Sequence, residues 1–431
     1  MKNAPSFGFD FGTTNSSLAC AFPDGKVQLT QFPTATGLTE SFRSLLYLEK
    51  QERRAGHHTK VWSGPAAIEA YLEADPKGRL IQSLKSFLTS RSLTSTDIFG
   101  KLYRLEDLIA RILREIRDCA ESYFDTPIRS AVVGCPVCFV GANSEADNEF
   151  ARSRLAAALK IAGFEDIRFE LEPIGAAFHY QSTLDHEEVI LIGDFGGGTS
   201  DFSLLKVGPA RAGSRHLFGN SGVGIAGDAF DAKIVRNVVS PALGAGSEMR
   251  SVGKILPVPT WIYGNLERWH HVSFLKSRDT MNMLRNVEKQ ALAPEKIQAL
   301  VHFIKEDLGY YLHQSVQRLK VALSAEPEAD FQFDDGFVSL RKTVQRADFE
   351  RWIQDELNAI ESCVDGLLQQ TGIDRREVDR VFLTGGSSFV PAVRRIFEAR
   401  FGADRISAGH EFTSVARGLA LRAQFPTECT P

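Results

Sequence analysis

The chain has 431 residues, of which 43% are hydrophobic and 24% charged, the composition of an ordinary folded protein with a sizeable core. Its formal net charge of -4 gives no general attraction to nucleic acid or to an anionic membrane, so neither partner is expected. The first residues form no apolar h-region and no small-residue cleavage site, so no secretory segment is expected. No apolar run approaches the roughly 18 residues of a membrane span, so no such span is expected. These features favour a cytoplasmic protein.

The predicted elements run in the same order in both halves, strands first and helices later, which indicates an α/β protein with two similar lobes. Strands are expected at 7–11, 17–22, 27–32, 44–48, 130–137, 167–171, 189–195, 202–207 and 380–383. Helices are expected at 65–73, 105–124, 145–162, 175–181, 228–238, 294–322, 346–370, 390–401 and 413–423. Residues 239–280 have no clear period and are expected to be mixed.

A glycine-rich pattern occurs twice, at 9–15 and at 193–199. In each copy an apolar run ends in Asp, Asp10 or Asp194, passes through Gly and Thr residues, and resumes as an apolar run. Such a hairpin turn can bring backbone N–H groups against phosphate oxygens, while the Asp can hold a hydrated Mg²⁺. Either copy alone could be an ordinary hairpin turn. Recurrence favours two turns that clamp one polyphosphate.

Two further glycine turns follow in the second half. Gly385, Gly386 and Ser387 end a strand and lead into a helix, a geometry that allows backbone contact with a nucleoside. Gly227 and Asp228 begin another helix, for which Asp228 could be only a cap.

The motif Cys135-Pro136-Val137-Cys138 could be a redox pair or half of a zinc site. It lies in an apolar run that is typical of a buried strand, where alternation places the two thiols on opposite faces. The sequence has no second motif of this kind, so structural cysteines are favoured.

The ordered set of motifs resembles the nucleotide-binding domain of the 70-kDa heat-shock (DnaK-type) proteins, and within that family it is most similar to the bacterial YegD type. The resemblance extends from about residue 7 to 423. It implies an actin-like ATPase fold with ribonuclease H-like duplicated lobes, and ATP or ADP with Mg²⁺ bound between them. It also implies that lobe I comprises residues 1–186, with an outer subdomain at 46–110, and that the chain comes back to lobe I at 406–431. Lobe II would be 187–405, with an outer subdomain at about 233–346.

The resemblance assigns roles to the motif residues. Asp10 and Asp194 correspond to ligands of Mg²⁺-bound water, and Glu172 to the residue that orients the attacking water. Lys85, on an expected helix at 79–88, becomes the γ-phosphate lysine, although by itself it could be a solvated helix lysine. The phosphate cradle would comprise Gly12, Thr13, Thr14, Asn15, Gly196, Gly197, Gly198 and Thr199, with Thr199 also serving catalysis. The nucleoside site would comprise Gly227, Asp228, Gln317, Lys320, Ser324, Gly385, Gly386, Ser387 and Phe389.

Three positions differ from the family pattern. Val321 and Phe389 replace two arginines that stack on the base, and Asn15 stands where the family usually has an aromatic residue. The ring of Phe389 could stack instead. We therefore expect adenosine to bind, with an affinity changed by these replacements.

After residue 423 only eight residues remain, so no peptide-binding domain is expected. The sequence thus predicts a chaperone-like, ATP-binding monomer that slowly hydrolyses ATP, with an unidentified protein partner or co-chaperone. One alternative is a nucleotide-gated interaction module without turnover. Another is a small-molecule kinase of the same superfamily.

Overall fold

The computed structural model describes residues 4–35, 37–53, 56–74, 78–181, 184–208, 216–251, 253–408 and 414–424. Within these ranges no helix has both the length and the apolar character needed to cross a membrane. The last residues of the predicted C-terminal return, and the first residue of the helix predicted at 413–423, lie outside the described ranges.

A six-stranded sheet contains the first glycine-rich hairpin. Its strand order is Asp166–Leu171, Ser130–Cys135, Ser6–Phe11, Asn15–Ala21 and Val27–Leu29, with Phe42–Arg43 paired beside Asn15–Ala21. The first three strands in this order run parallel, and the hairpin partners are antiparallel. Buried positions dominate the central strands because helices cover the sheet.

A second sheet repeats this plan. Its order is Ile406–Ala408, Arg380–Thr384, Glu188–Phe195, Ser200–Val207 and His216–Val223. Again the first three are parallel and the last three form an antiparallel meander. The duplication expected from the sequence is therefore present in the sheets.

Two helices, Glu172–Gln181 and Ser414–Ala423, join the two sheets through one hydrophobic cluster. That cluster includes Val132 of the first sheet and Ile190 of the second. The second helix approaches the first sheet closely because Gly8 has no side chain: a Cβ atom there would lie 2.1 Å from the Ala420 nitrogen.

The remaining helices mostly follow the predicted positions. They are Gly64–Glu73, Leu105–Phe124, Glu145–Ala162, Gly227–Ile234, Ser240–Ala242, Trp261–Leu266, Arg278–Gln290, Pro294–Lys305, Gly309–Ala325, Arg346–Trp352, Gln354–Thr371 and Pro391–Phe401. Short 3₁₀ turns occur at Leu84–Phe87, Trp269–Lys276, Gly386–Phe389 and Ala403–Arg405, and a π-helical turn at Val235–Val239.

Two predicted long helices are wrong, because each is divided in the structure. The helix expected at 294–322 breaks at Asp307, whose φ of 55° is left-handed. Asp307 also pairs with Lys276 at 3.6 Å, so a tertiary contact holds the break. The helix expected at 346–370 is interrupted at Ile353.

Smaller sheets complete the described chain. They are the three-stranded sheet of Gly56–Ser63, Leu45–Arg53 and Arg79–Gln82, and the hairpins Phe32–Thr34 with Gly37–Thr39, Ser95–Ile98 with Lys101–Arg104, Glu248–Ser251 with Lys254–Pro257, and Glu328–Asp334 with Ser339–Gln345. The expected strand 27–32 is in fact two short strands, and the mixed region 239–280 contains a hairpin and short helices.

The chain divides into two compact units. The first comprises 1–227, 359–389 and 393–431, and the second comprises 228–358 and 390–392. Both large sheets belong to the first unit, whereas the second unit overlaps the outer subdomain expected at about 233–346. The expected division into lobes at residue 187 remains a prediction.

Candidate functional site

The two glycine-rich hairpins place their aspartates at equivalent positions. In the first hairpin Asp10 lies directly opposite Ser17, and in the second Asp194 lies directly opposite Asp201. In both, the strand continues for one phenylalanine beyond the aspartate and then enters the glycine turn. The predicted hairpins are confirmed, and each ends in its predicted turn.

The tips of the two turns lie next to each other within the first unit. A Cβ atom placed on Gly198 would lie 3.7 Å from Thr13 Oγ1 and 3.6 Å from Ser86 Oγ. The same atom would be 2.7 Å from Val140 Cγ2, so only glycine fits at this point. Residues 12–14 and 196–199 therefore border one site.

Backbone contacts fix the shape of each turn. A Cβ atom on Gly12 would lie 2.1 Å from the Asn15 carbonyl oxygen, and the Thr14 carbonyl accepts a hydrogen bond from the Ser44 N–H at 2.9 Å. In the second turn, which also contains Gly197, the Gly196 N–H donates to the Thr199 carbonyl at 2.9 Å.

Lys85 does not lie on a helix, so the helix expected at 79–88 is wrong. Residues Arg79–Gln82 form a strand paired with Leu45–Leu48, Ser83 has a left-handed φ of 57°, and Leu84–Phe87 form a 3₁₀ turn. Sheet pairing overrides the helical spacing of the apolar residues because it satisfies their backbone groups and buries alternate side chains.

Lys85 forms a buried ion pair with Glu172. Its Nζ lies 2.6 Å from Glu172 Oε1, and each side chain is only 8% exposed. Although burial favours the neutral amine, the charges of Glu172 and Asp10 outweigh it and raise the pKa of Lys85. Lys85 is therefore a buried cation at the site rather than a solvated surface lysine.

Arg154 holds the segment that carries Lys85. The guanidinium, 8% exposed, pairs with Glu106 at 2.5 Å. It also donates to the carbonyl oxygens of Ser90 at 2.9 Å and Leu93 at 3.0 Å. One buried side chain on the helix Glu145–Ala162 thus anchors the chain that follows the Lys85 turn.

Sequence reasoning missed Asp201. Its Oδ1 accepts hydrogen bonds from the N–H groups of Val137 at 2.8 Å and Cys138 at 3.2 Å. Burial and the charge of Glu172 raise its pKa, while the Thr199 hydroxyl lowers it. The available signal was a carboxylate near the start of the second strand of the hairpin, seven residues after Asp194.

Among the residues that the structure describes, the site has more carboxylates than cations to balance them. Burial, followed by the charge of Glu172, raises the pKa of Asp10, and the same two causes raise that of Asp194 to about 6. Lys85 acts in the opposite direction on both. The Thr384 hydroxyl donates to Asp194 Oδ1 at 2.5 Å and favours its charged form. Four carboxyl groups and one ammonium form an environment that favours an added cation.

The Gly385 loop packs against the start of the second turn. Gly385 has a φ of 84°, and a Cβ atom there would lie 2.0 Å from the Phe195 carbonyl oxygen. The Ser388 hydroxyl donates to the Gly385 carbonyl at 2.7 Å, and the 3₁₀ turn Gly386–Phe389, with Ser387 buried, follows. The Gly227 N–H donates to the Gly196 carbonyl at 3.4 Å, so both predicted glycine turns adjoin the site.

In the second unit, the predicted nucleoside residues converge on Asp231. Lys320 Nζ lies 2.7 Å from Asp231 Oδ1, and the Gln317 amide donates to Asp231 Oδ2. The Ser324 hydroxyl donates to the Lys320 carbonyl at 3.0 Å. Asp228 is in the first turn of its helix, which begins at Gly227.

The two positions that replace stacking arginines are both open to solvent. Val321 is 67% exposed and Phe389 is 49% exposed. Neither side chain is part of a packed core, so each can contact a ligand.

The thiols of Cys135 and Cys138 are free. Cys135 is buried at the end of its strand, and burial raises its pKa to about 12. Burial likewise raises the pKa of Cys138. A raised pKa disfavours the thiolate that redox chemistry and metal binding require, in agreement with structural cysteines.

A comparison with protein families identifies the chain. The family described as Hsp70 protein matches residues 80–243 and 304–427. The chain belongs to the Hsp70 family. Its match covers both the Lys85 segment and the second glycine turn. Because the Hsp70 domain has an actin-like ATPase fold, the predicted fold class is confirmed.

Curated members of the Hsp70 family match almost the whole chain. The chaperone protein DnaK of Thermotoga petrophila is 25% identical over 423 residues, which are 96% of this chain and 58% of that protein. The stromal 70 kDa heat shock-related protein of Pisum sativum chloroplasts is 25% identical over 96% of this chain and 52% of its own length. The chaperone protein dnaK of Gracilaria tenuistipitata is also 25% identical, over 96% and 59%.

The chain thus spans somewhat more than half the length of these relatives. The resemblance to the YegD type remains a prediction.

Proposed function

We propose that the chain binds ATP and ADP with Mg²⁺ and slowly hydrolyses ATP. The observation that carries this proposal is the adjacency of the two glycine turns, marked by Thr13 and Gly198, beside a buried lysine and four carboxylates. Phosphoryl transfer to water needs little covalent chemistry from the protein. It needs donors and positive charge around the phosphate oxygens and one group that orients the water.

Asp10 and Asp194 are the proposed sites of a water-mediated Mg²⁺ ion, since no group of three or more His, Cys, Asp or Glu side chains among the described residues could hold a metal directly. Asp10 and Asp194 lie on equivalent strands, and burial and the neighbouring Glu172 raise the pKa of each, so an added cation would favour their charged forms. Both would hold the ion through its water ligands, because carboxylate oxygen and water are what Mg²⁺ prefers. When bound, the ion would neutralise charge on the phosphate oxygens.

The surrounding residues supply the other roles. Backbone N–H groups of 12–14 and 197–199 and the hydroxyls of Thr13 and Thr14 would donate to phosphate oxygens, while the Thr199 hydroxyl interacts with Asp201. Lys85, held charged by Glu172, would bind the terminal phosphate. Glu172 would then be available to orient the attacking water, with Asp201 as a second carboxylate near Thr199.

The first unit contains the Gly385 loop, for which we propose contacts with the nucleoside. In the first unit the Gly385 loop would offer backbone contacts, and Phe389 an exposed ring for stacking. In the second unit Lys320 and Gln317 are oriented by Asp231, and Val321 offers no cation to the base. Base binding should therefore be weaker than in relatives that have two stacking arginines.

The wider role is that of a chaperone-like protein. Nucleotide would shift the populations of the chain's conformations only to the extent that it binds one conformation more tightly than another. A protein partner or co-chaperone, a monomeric state and a cytoplasmic location are part of this proposal.

Calorimetric titration of the purified chain with ATP, ADP and other nucleotides, with and without Mg²⁺, tests binding. Phosphate release under single-turnover conditions tests hydrolysis. Binding without phosphate release would favour the interaction module, and phosphate transfer to an added small molecule would favour a kinase. Absence of Mg²⁺-dependent binding by any nucleotide would overturn the proposal.

A further inference from the structure

Arg43 lies at the edge of the first glycine turn. On the short strand Phe42–Arg43 it stands directly opposite Asn15, and its Nη1 donates to Asn15 Oδ1 at 3.3 Å. The next residue, Ser44, is fixed to the same turn, since its N–H donates to the Thr14 carbonyl at 2.9 Å. The Ser44 and Ser16 hydroxyls are also 2.7 Å apart. This strand is therefore attached to the end of the turn.

Strand register places Arg43 on the same face of the sheet as Asp10. Asp10 lies opposite Ser17, Asn15 precedes Ser17 by two residues, and Arg43 lies opposite Asn15. Side chains directly opposite each other, or two residues apart along one strand, share a face. The guanidinium thus belongs to the face that carries the site, although it lies outside the predicted set of binding residues.

Arg43 would add positive charge at this edge of the site. A triphosphate carries more negative charge than a diphosphate, so a cation beside its terminal phosphate favours the triphosphate. A guanidinium has five N–H donors, so it can bind Asn15 and a phosphate together.

The position of the first turn indicates which phosphate Arg43 would meet. Thr13 of that turn lies beside Gly198, and Ser86, which follows Lys85, lies beside the same glycine. The first turn is therefore on the Lys85 side of the site. If Lys85 binds the terminal phosphate, the end of this turn is near it as well.

We propose that Arg43 binds the terminal phosphate of a nucleoside triphosphate and makes the site discriminate triphosphate from diphosphate. This inference rests on the proposed nucleotide function. Arg43 acts as a specificity-determining residue, with Asn15 orienting its guanidinium.

The test compares Arg43→Gln with the wild type by calorimetry. In the presence of Mg²⁺, each protein is titrated with ADP and, separately, with a non-hydrolysable ATP analogue. A hydrogen bond between charged groups contributes enough that affinity for the analogue should fall about tenfold to hundredfold. Affinity for ADP should change by less than about threefold, because ADP lacks the phosphate that Arg43 contacts. Arg104→Gln is the matched control, because it removes a guanidinium that is 63% exposed and pairs only locally with Asp107 among the contacts described.

An unchanged ratio of the two affinities, or an equal loss of both, would overturn the assignment of Arg43. Thermal unfolding monitored by circular dichroism shows whether Arg43→Gln is folded. If it is not, Arg43→Lys replaces it: this variant keeps the charge but loses the planar fork, so analogue binding should fall by a smaller factor while ADP binding is kept. Failure of the wild type to bind any nucleotide would instead refute the proposed function, and with it this inference.

Discussion

Lys85 Nζ and Glu172 Oε1 lie 2.6 Å apart in an ion pair whose two side chains are each 8% exposed. The two members of the pair have opposite effects on the neighbouring carboxylates. Lys85 also opposes the repulsion that acts on Asp10 and Asp194, whereas Glu172 adds to that repulsion. Removing the cation and removing the anion should therefore have different costs.

We predict that Lys85→Met destabilises the protein more than Glu172→Gln does. Removing one partner of a buried pair typically costs about 3 to 5 kcal/mol. For Lys85→Met the cost should be at the upper end, since the remaining carboxylates are left unbalanced. For Glu172→Gln it should be smaller, since Asp10 still pairs electrostatically with Lys85. Urea unfolding at pH 7 measures both, and a larger loss in Glu172→Gln would contradict this ranking.

The same lysine should control turnover. Lys85→Ala should reduce ATP hydrolysis by about 10² to 10³, the usual effect of removing a preorganised charge from a phosphoryl-transfer site. Lys206→Ala is the control, because Lys206 is 43% exposed and pairs with Glu187 in the same unit. Single-turnover phosphate release provides the measurement on protein shown to be folded. Equal rates in wild type and Lys85→Ala would remove Lys85 from the mechanism.

The features that depend on residues close together in the sequence were predicted correctly. The two hairpins and their turns were found because glycine, hydroxyl residues and an aspartate at a strand end define both the bend and its ligands within a few residues. The long helix Leu105–Phe124 was found because its apolar stripe is continuous.

The features that were predicted wrongly or missed depend on contacts between residues that are distant in the sequence. The Lys85 segment has helical spacing but pairs as a strand with Leu45–Leu48, and its turn is held by Arg154. Asp201 is opposite Asp194 only through the hairpin register, and Arg43 reaches the first turn through pairing with Asn15. Neither relation is visible as a period or a motif.

The substitution Asp201→Asn should distinguish the role of the Asp201 charge from the role of its hydrogen bonds. Asparagine keeps an oxygen that can accept from the Val137 and Cys138 N–H groups, while it removes a carboxylate that burial and Glu172 disfavour. We expect a thermal midpoint that does not fall and a turnover reduced by about 10- to 100-fold, the range of a positioned polar group. Loss of stability without loss of turnover would assign Asp201 a purely structural role.

Arg154→Lys should act through Lys85. Lysine keeps a charge beside Glu106 but cannot also reach the carbonyls of Ser90 and Leu93, which costs about 1 to 3 kcal/mol of stability. Turnover should fall in the wild-type background but not further in the Lys85→Ala background. Arg152→Lys is the matched control on the same helix, since Arg152 is 29% exposed and pairs with Glu145. An equal fall in both backgrounds would show that Arg154 does not work by positioning Lys85.

Base affinity should rise when the two missing cations are restored. Val321 and Phe389 are 67% and 49% exposed, so Val321→Arg and Phe389→Arg should not disturb packing. A guanidinium over an aromatic face contributes roughly 0.5 to 2 kcal/mol. The double variant should therefore bind ADP about one to two decades more tightly. Calorimetry with ADP and with inorganic pyrophosphate distinguishes stacking from general charge attraction, because pyrophosphate has no base. Equal ADP affinity in wild type and double variant would show that the Phe389 ring already provides the stacking, and Phe389→Ala should then weaken ADP binding while leaving pyrophosphate unchanged.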